Sequence, residues 1–191
     1  MRDVLELVHF PVADKELQIP ASDWTTDAKD RDSERYDEVI EYVSEYTSDS
    51  DIIVDFGGSS GSQLEELAGV RRYVFGLEPS EKIRAYAEKR HPKVKYVDAV
   101  ESPNCAVYVR TLRNRFSDGE FRESIRAASV VVVISEVGKD MPFTEPDDLI
   151  AFMKKAGFEL KALRLQRFIK LKEDEFTTEV SAVFLKDRGN G

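Results

Sequence analysis

The sequence predicts an α/β protein whose mostly parallel sheet ends in an antiparallel hairpin. Three observations predict it. Short β-branched runs alternate with helical patterns from residue 51 onward, a glycine-rich turn follows the first run, and two long strand-like segments close the chain. A buried parallel strand reads as a short apolar run, and strands alternating with helices imply a parallel sheet joined by crossovers.

The elements follow in order. Residues 1 to 30 are interrupted by Pro11 and Pro20, although Val4 to Phe10 has the look of a strand. Ser33 resembles an N-cap, and Tyr36, Val39, Ile40, Val43 and Tyr46 recur at helical spacing, which predicts an amphipathic helix over about 33–47, placed to lie against the sheet. Strands are expected at 51–55, 72–77, 94–97, 105–109 and 129–135, with helices at about 62–68, 80–90 and 118–127, the last opened by a Ser117/Glu120 capping pair. The segments 158–172 and 177–186 then read as a hairpin turning at Glu173-Asp174-Glu175.

Composition bounds the function. At 191 residues the chain is long enough for one well-packed domain, and 41% hydrophobic with 34% charged residues suits a globular protein in water. The charged start, Met1-Arg2-Asp3, does not read as a signal peptide, and the longest apolar stretch, Ala127 to Ser135, is too short to span a bilayer. One cysteine, Cys105, cannot form an internal disulfide, and His9 and His91 lie far from each other, so no metal site is expected and the cytoplasm is the expected compartment. The net charge of −9 is entirely N-terminal: residues 1–50 hold 14 acids against 5 Lys/Arg, and the remainder holds 23 of each. We therefore separate an acidic segment, 1–50, from a neutral domain, 51–187, and expect the segment to solubilise that domain, to cap it or to repel nucleic acid.

The chemistry concentrates between Asp55 and Glu78. Ile52-Ile53-Val54 ends in Asp55, and Gly57, Gly58 and Gly61 then turn the chain into a helix. Glycines there let a ligand approach the backbone, and the helix offers free N–H groups to it. Glu78 ends the next strand 17 residues after Gly61, near the spacing at which an acid receives ribose hydroxyls. The dinucleotide fingerprint needs a glycine at position 56, where Phe56 stands, which disfavours a nicotinamide-dependent oxidoreductase.

In the other register, the loop resembles the D/E-x-G-x-G-x-G motif of class I S-adenosylmethionine-dependent methyltransferases, with Ser59 replacing the middle glycine. Gly76-Leu77-Glu78-Pro79-Ser80 resembles that family's second motif, and Lys95 to Ala99 its third strand. Glu145 to Phe158 resembles its closing helix, "AGF" turn and strand. The resemblance spans roughly residues 50 to 187. It implies a three-layer α/β/α, Rossmann-like methyltransferase fold with seven strands, the last antiparallel. It also implies S-adenosyl-L-methionine as cofactor, bound by Asp55, Gly57, Gly58, Gly61, Glu78, Pro79, Asp98 and Ala99. Asp55 and Gly57 would lie near its amino-acid part, Glu78 at the ribose and Asp98 at the adenine. Two departures stand out. Cys105 comes only seven positions after Asp98, leaving no room for a full helix, and Ala127-Ala128-Ser129 replaces the usual Pro-Gly-Gly turn before the fifth strand.

Methyl transfer from a sulfonium needs orientation above all, and a general base is optional. Acceptor-side groups are expected at the carboxyl ends of strands: Arg110, Thr111 and Arg113 after the fourth, Ser135 and Glu136 at the fifth, with Tyr36 and Trp24 reaching over from the N-terminal segment. The acceptor, small molecule or macromolecule, is not identified by any motif, and the Asn-Pro-Pro-Tyr type sequence of amino-methylating nucleic-acid enzymes is missing. A basic cluster that includes Lys161, Arg164, Arg167 and Lys170 reads as a solvated face or as a phosphate-binding surface for RNA. Ser59 and the trimmed connection also admit a non-catalytic, methyltransferase-like binding or regulatory module.

Overall fold

A computed structural model describes residues 37–56, 62–78, 80–100, 102–109, 118–138, 143–172 and 175–187. Their elements are α1 (residues 37–46), β1 (Ile52–Asp55), α2 (Ser62–Val70), β2 (Tyr73–Leu77), α3 (Glu81–Arg90), β3 (Lys95–Val97) and β4 (Cys105–Val109). They continue with α4 (Asp118–Ile125), β5 (Val130–Val137), α5 (Pro146–Lys155), β6 (Phe158–Lys172) and β7 (Glu175–Lys186). The strands form one seven-stranded sheet in the order β3-β2-β1-β4-β5-β7-β6. β1 to β5 pair in parallel, and β7 runs antiparallel between β5 and β6. The expected parallel sheet and terminal hairpin are both present. Boundaries differ by one to two residues: α4 ends at Ile125, two short of the expected helix, and β5 continues to Val137 because β7 supplies partners as far as Thr178.

The two-residue period of each strand sorts its side chains into two cores. On one face, Ile53, Val107, Val132, Ile134 and Val183 pack against Leu64 and Leu67 of α2, Ala87 of α3, and Val39, Tyr42 and Val43 of α1. On the other, Val54, Ala106, Val131 and Val133 pack against Phe121 and Ile125 of α4 and Leu149, Phe152 and Met153 of α5. Both faces of the central strands are thus dry, which is why β5 reads Val-Val-Val-Val-Ile without alternation.

α1 is anchored from a distant element. The Arg71 guanidinium, just past α2, donates to the carbonyls of Ser44 (2.9 Å) and Thr47 (3.0 Å) and to the Thr47 hydroxyl (3.1 Å). Those carbonyls lie at the end of a helix and just beyond it, where backbone acceptors lack intrahelical donors and a cation suits the negative end of the dipole. With Val39, Tyr42 and Val43 at 0–1% exposure, α1 shares the domain's own core, on the C-terminal side of the acidic segment.

The β3–β4 connection has no helix among its described residues. It must pass β2 and β1, about 14 Å of lateral travel at the usual strand spacing, and return about 13 Å to the amino end of β4, about 20 Å in all; seven extended steps span about 23 Å, so an unwound crossing suffices. Asn104 receives it: its side-chain oxygen accepts from Ile52 N–H at 2.8 Å, and its own N–H donates to the Ile52 carbonyl at 2.8 Å. Downstream, α5 opens on Pro146, with Asp148 Oδ2 accepting from the N–H groups of Thr144 and Glu145 at 3.0 and 3.1 Å. It closes on Gly157 at φ 86°, a left-handed stop that glycine adopts without strain.

Candidate functional site

The strand order reverses between β1 and β4, since β2 and β3 extend the sheet to one side of β1 and β4 onward to the other. Ligands of open α/β sheets bind at such a switch point, outside the carboxyl ends of the strands. Asp55 is the last residue of β1 at that point, in register with Gly76 of β2, and Glu78 follows β2 two residues further along. Both are carboxylic residues at 2% exposure, where an ionisable side chain is rare unless partnered. Their positions are locked by backbone: Phe56 N–H donates to the Val107 carbonyl and Glu78 N–H to the Val97 carbonyl, each at 2.9 Å, so both strands stay paired to their last residues.

Glu78 has a local role as well. Its Oε1 accepts from Ser80 N–H at 3.0 Å, placing a carboxylate at the positive end of α3. From α3, Arg84 reaches back, with Nη1 donating to the Glu78 carbonyl at 2.8 Å and Nη2 standing 3.8 Å from Asp98. Arg84 therefore ties the ends of β2 and β3 together. Asp98 is 72% exposed beside the rim and Ala99 is exposed with it.

Phe56, whose presence disfavours the dinucleotide register, belongs to the core on the other face. It is 5% exposed and its ring stacks on Tyr108 at 4.6 Å between centroids. Tyr108 in turn shares a 2.6 Å hydrogen bond with Ser124 and meets Phe121 edge-on at 4.8 Å. Cys105 is fully buried, and burial pushes its thiol far above the ordinary range, so it is a core residue with no nucleophilic character.

Several expected site residues lie outside the described residues: Gly57, Gly58, Gly61, Pro79, Arg110, Thr111, Arg113, Tyr36 and Trp24, together with Ser33, Ser59 and Ser117. Glu136 lies on β5 in register with the buried Glu179 of β7. Ser135 beside it is 3% exposed. Among the described residues no three His, Cys, Asp or Glu side chains converge as a metal site, and no helix is long and apolar enough to cross a membrane.

The basic cluster occupies edge strand β6, with Arg167 and Lys170 further along it. Arg164 is held by Glu41 of α1 through two hydrogen bonds of 2.8 and 2.7 Å and lies over the Tyr42 ring at 5.3 Å; Lys161 pairs with Glu159 at 2.9 Å. Two of its cations are thus neutralised within the chain. β6 also carries three register shifts, and lysines with bulges are how an exposed edge resists pairing with another strand.

Two features escaped the sequence reading. Gly76 of β2 stands beneath Tyr96 of β3: a Cβ there would fall 2.7 Å from two ring carbons of Tyr96 and 3.0 Å from Leu64 Cδ1. A glycine inside a strand was the available signal, since it often marks a close approach. Glu41, 123 residues from Arg164, left no local signal at all.

No protein-family model and no curated protein matches the chain. Solved structures do. Magnesium protoporphyrin IX methyltransferase (ChlM) from Synechocystis PCC 6803, with bound S-adenosylmethionine, is 14% identical, covering 95% of this chain and 90% of its own at a TM-score of 0.64. A putative sarcosine dimethylglycine methyltransferase from Galdieria sulphuraria is 10% identical, with 84% and 88% covered and a TM-score of 0.65. The [4+2]-cyclase SpnF is 14% identical, with 78% and 81% covered and a TM-score of 0.62. Such identities speak for architecture, and with the strand order above they establish that this chain has the Rossmann-like fold of the class I S-adenosylmethionine-dependent methyltransferases.

Proposed function

We propose that this protein is an S-adenosylmethionine-dependent methyltransferase. The observation that carries the reading is the pair of buried carboxylates, Asp55 and Glu78, at the carboxyl ends of adjacent parallel strands where the strand order reverses. Carboxylates accept from hydroxyl and ammonium donors, and the cofactor brings both: two ribose hydroxyls and an amino-acid end. In this reading Glu78 holds the ribose, and Asp55 with Gly57, Gly58 and Gly61 receives the amino-acid part. Pro79, Asp98 and Ala99 border the adenine.

When bound, the cofactor supplies an electrophilic methyl group on a sulfonium. The chain contributes placement. Backbone pairing up to Phe56 and Glu78 fixes where the two carboxylates stand, and Arg84 holds the β2 and β3 ends at one spacing, so little ordering remains to be done on binding. The acceptor enters from the side of Arg110, Thr111, Arg113, Glu136 and Tyr36, with the N-terminal segment as its cover. An RNA acceptor would draw on Lys161, Arg164, Arg167 and Lys170, with Lys161 and Arg164 giving up their pairing with Glu159 and Glu41. A single buried cysteine and a charged composition suit a cytoplasmic setting.

The SpnF likeness shows that this architecture also carries chemistry other than methyl transfer, so ligand binding is the first test. Calorimetric titration with S-adenosylmethionine, S-adenosylhomocysteine and NADH should give saturable binding of the two adenosyl ligands, lost in Glu78→Ala. Binding of NADH alone, or adenosyl binding indifferent to Glu78→Ala, would overturn the reading.

A further inference from the structure

Polar residues gather at the carboxyl end of the sheet on the side of β5 and β7. Val109, the last residue of β4, is in register with Ile134 of β5, Ile134 with Ser181 of β7, and Ser181 with Arg164 of β6. Two residues further on, one row holds Glu136, Glu179 and Arg167. α1 covers this part of the sheet, with Val39, Tyr42 and Val43 packed on Ile134 and Val183, and its first turn carries Glu38. Ser181 lies three strands from Asp55, about 14 Å across the sheet, and two residues nearer the carboxyl end. It therefore flanks the candidate cofactor site without overlapping it.

The polar atoms there are not matched to one another. Ser181 is 1% exposed and its Oγ has no hydrogen-bond partner, and Glu38 Oε2 is buried with none either. Native interiors seldom leave such groups unmatched, and the exceptions call for an explanation. The charges are unequal as well. Arg164 faces Glu38, but both its terminal nitrogens are held by Glu41, at 2.8 and 2.7 Å, and Arg167 stands in register with Glu179. Among the described residues no cation is bonded to Glu38. Burial first of all pushes its carboxyl above the ordinary range; the nearby Ser181 hydroxyl and the Arg164 charge pull it down, and Glu179 and Glu41 add to the rise. An acid in the first turn of a helix suits the dipole, which accounts for a glutamate at 38 but leaves the serine unexplained. The described acids do not converge as a metal site, so the group that fits is an organic cation with N–H donors.

We propose that this is a subsite for a protonated amine of the methyl acceptor, the ammonium group donating to Glu38 Oε2 and to the Ser181 hydroxyl oxygen. This rests on the methyltransferase reading and deepens it by naming the acceptor as a cation. An ammonium has three donors and no acceptor, which matches one carboxylate oxygen and one hydroxyl oxygen that accept from nothing else. Its charge also offsets the cost of keeping a carboxylate oxygen away from water. The amine is a handle, about 14 Å across the sheet from β1, and the acceptor extends from it past the end of β4 toward the cofactor.

The test titrates the full chain, with S-adenosylhomocysteine present, against three probes of equal length, butylammonium, butanol and butyrate, followed by ligand-observed NMR. Butylammonium should bind saturably and the other two should not. Glu38→Gln should weaken it about tenfold and Ser181→Ala about fivefold, the scales of a hydrogen bond to a charged and to a neutral group. Glu66→Gln, at an exposed position on α2, should change nothing, which separates the subsite from the effect of net charge. Butanol binding as well as butylammonium, no effect of Glu38→Gln and Ser181→Ala, or an equal effect of Glu66→Gln would overturn the subsite, while S-adenosylhomocysteine binding kept the methyltransferase reading. Selective butylammonium binding, lost in Glu38→Gln, by a chain that bound no S-adenosylhomocysteine would do the reverse, leaving a cation site on a protein that is not a methyltransferase.

Discussion

Gly76→Ala probes the close approach of Tyr96 to β2 most directly. The added Cβ would lie 2.7 Å from Tyr96 Cδ1 and Cε1 and 3.0 Å from Leu64 Cδ1, closer than carbon atoms pack. Neither neighbour gives way cheaply: the Tyr96 ring is 4% exposed and Leu64 1%. Overpacking of this kind costs about 1–3 kcal/mol, while alanine returns about 0.5–1 kcal/mol of backbone entropy relative to glycine in a strand. The net expectation is a loss of about 1–2 kcal/mol, which lowers the melting temperature of a chain of this size by about 2–8 °C. Urea denaturation with unchanged m-value, supported by a thermal scan, measures it. Tyr96→Val removes the two ring carbons and keeps a side chain suited to a strand, so Gly76→Ala in that background should cost less than in the wild type, the 3.0 Å approach to Leu64 Cδ1 being what remains. Wild-type stability for Gly76→Ala, or an equal loss in both backgrounds, would refute the reasoning, because the contact would then not be what excludes a side chain at position 76.

Other expectations follow from the same contacts. Arg71→Ala deprives the end of α1 of its donors and should cost about 2 kcal/mol by urea denaturation. Arg71→Lys should restore only part of this, because one ammonium cannot reproduce the guanidinium fork. Tyr108→Phe breaks the 2.6 Å bond to Ser124 but leaves Ser124 donating to the Phe121 carbonyl at 2.7 Å, so a loss of about 1 kcal/mol is expected; a loss above about 3 kcal/mol would mean the ring stack had moved as well. Glu38, on α1, has its carboxyl raised above 4.5 chiefly by burial, against the Ser181 hydroxyl and the Arg164 charge, which pull it down. A raised folded value means the native state holds the proton more tightly, so this contribution to stability is complete below about pH 4.5 and is lost as pH rises through the folded value. Glu38→Gln cannot ionise and should therefore gain on the wild type as pH rises, with the gap closing toward pH 4.5; a gap independent of pH in urea midpoints would contradict the assignment.

The elements were legible because their signals are local. Ile52 to Asp55, Tyr73 to Leu77 and Cys105 to Val109 announce buried strands by composition, and Pro146 and Gly157 announce the two ends of α5. Phe56 was equally readable as a departure from the dinucleotide register, although its reason, the stack on Tyr108, is a contact between residues 52 positions apart. The basic run on β6 was visible as charge. The pairing of its Arg164 with Glu41 was not, because the partner lies on α1, and only packing brings that helix to the edge of the sheet. Likewise Gly76 and Tyr96 each look ordinary in the sequence, a strand glycine and a strand aromatic.

By itself the sequence determined the class of fold, the order of its elements and the two acids that end β1 and β2, since hydrophobic period and turn chemistry are written within a few residues of where they act. Tertiary structure alone decided that both of those acids are buried at the reversal of strand order, that Arg71 closes α1, and that Tyr96 lies over Gly76. Register between strands is set by the simultaneous fit of all seven to two layers of helices. No short segment carries that information, because one residue of slip would reverse every face.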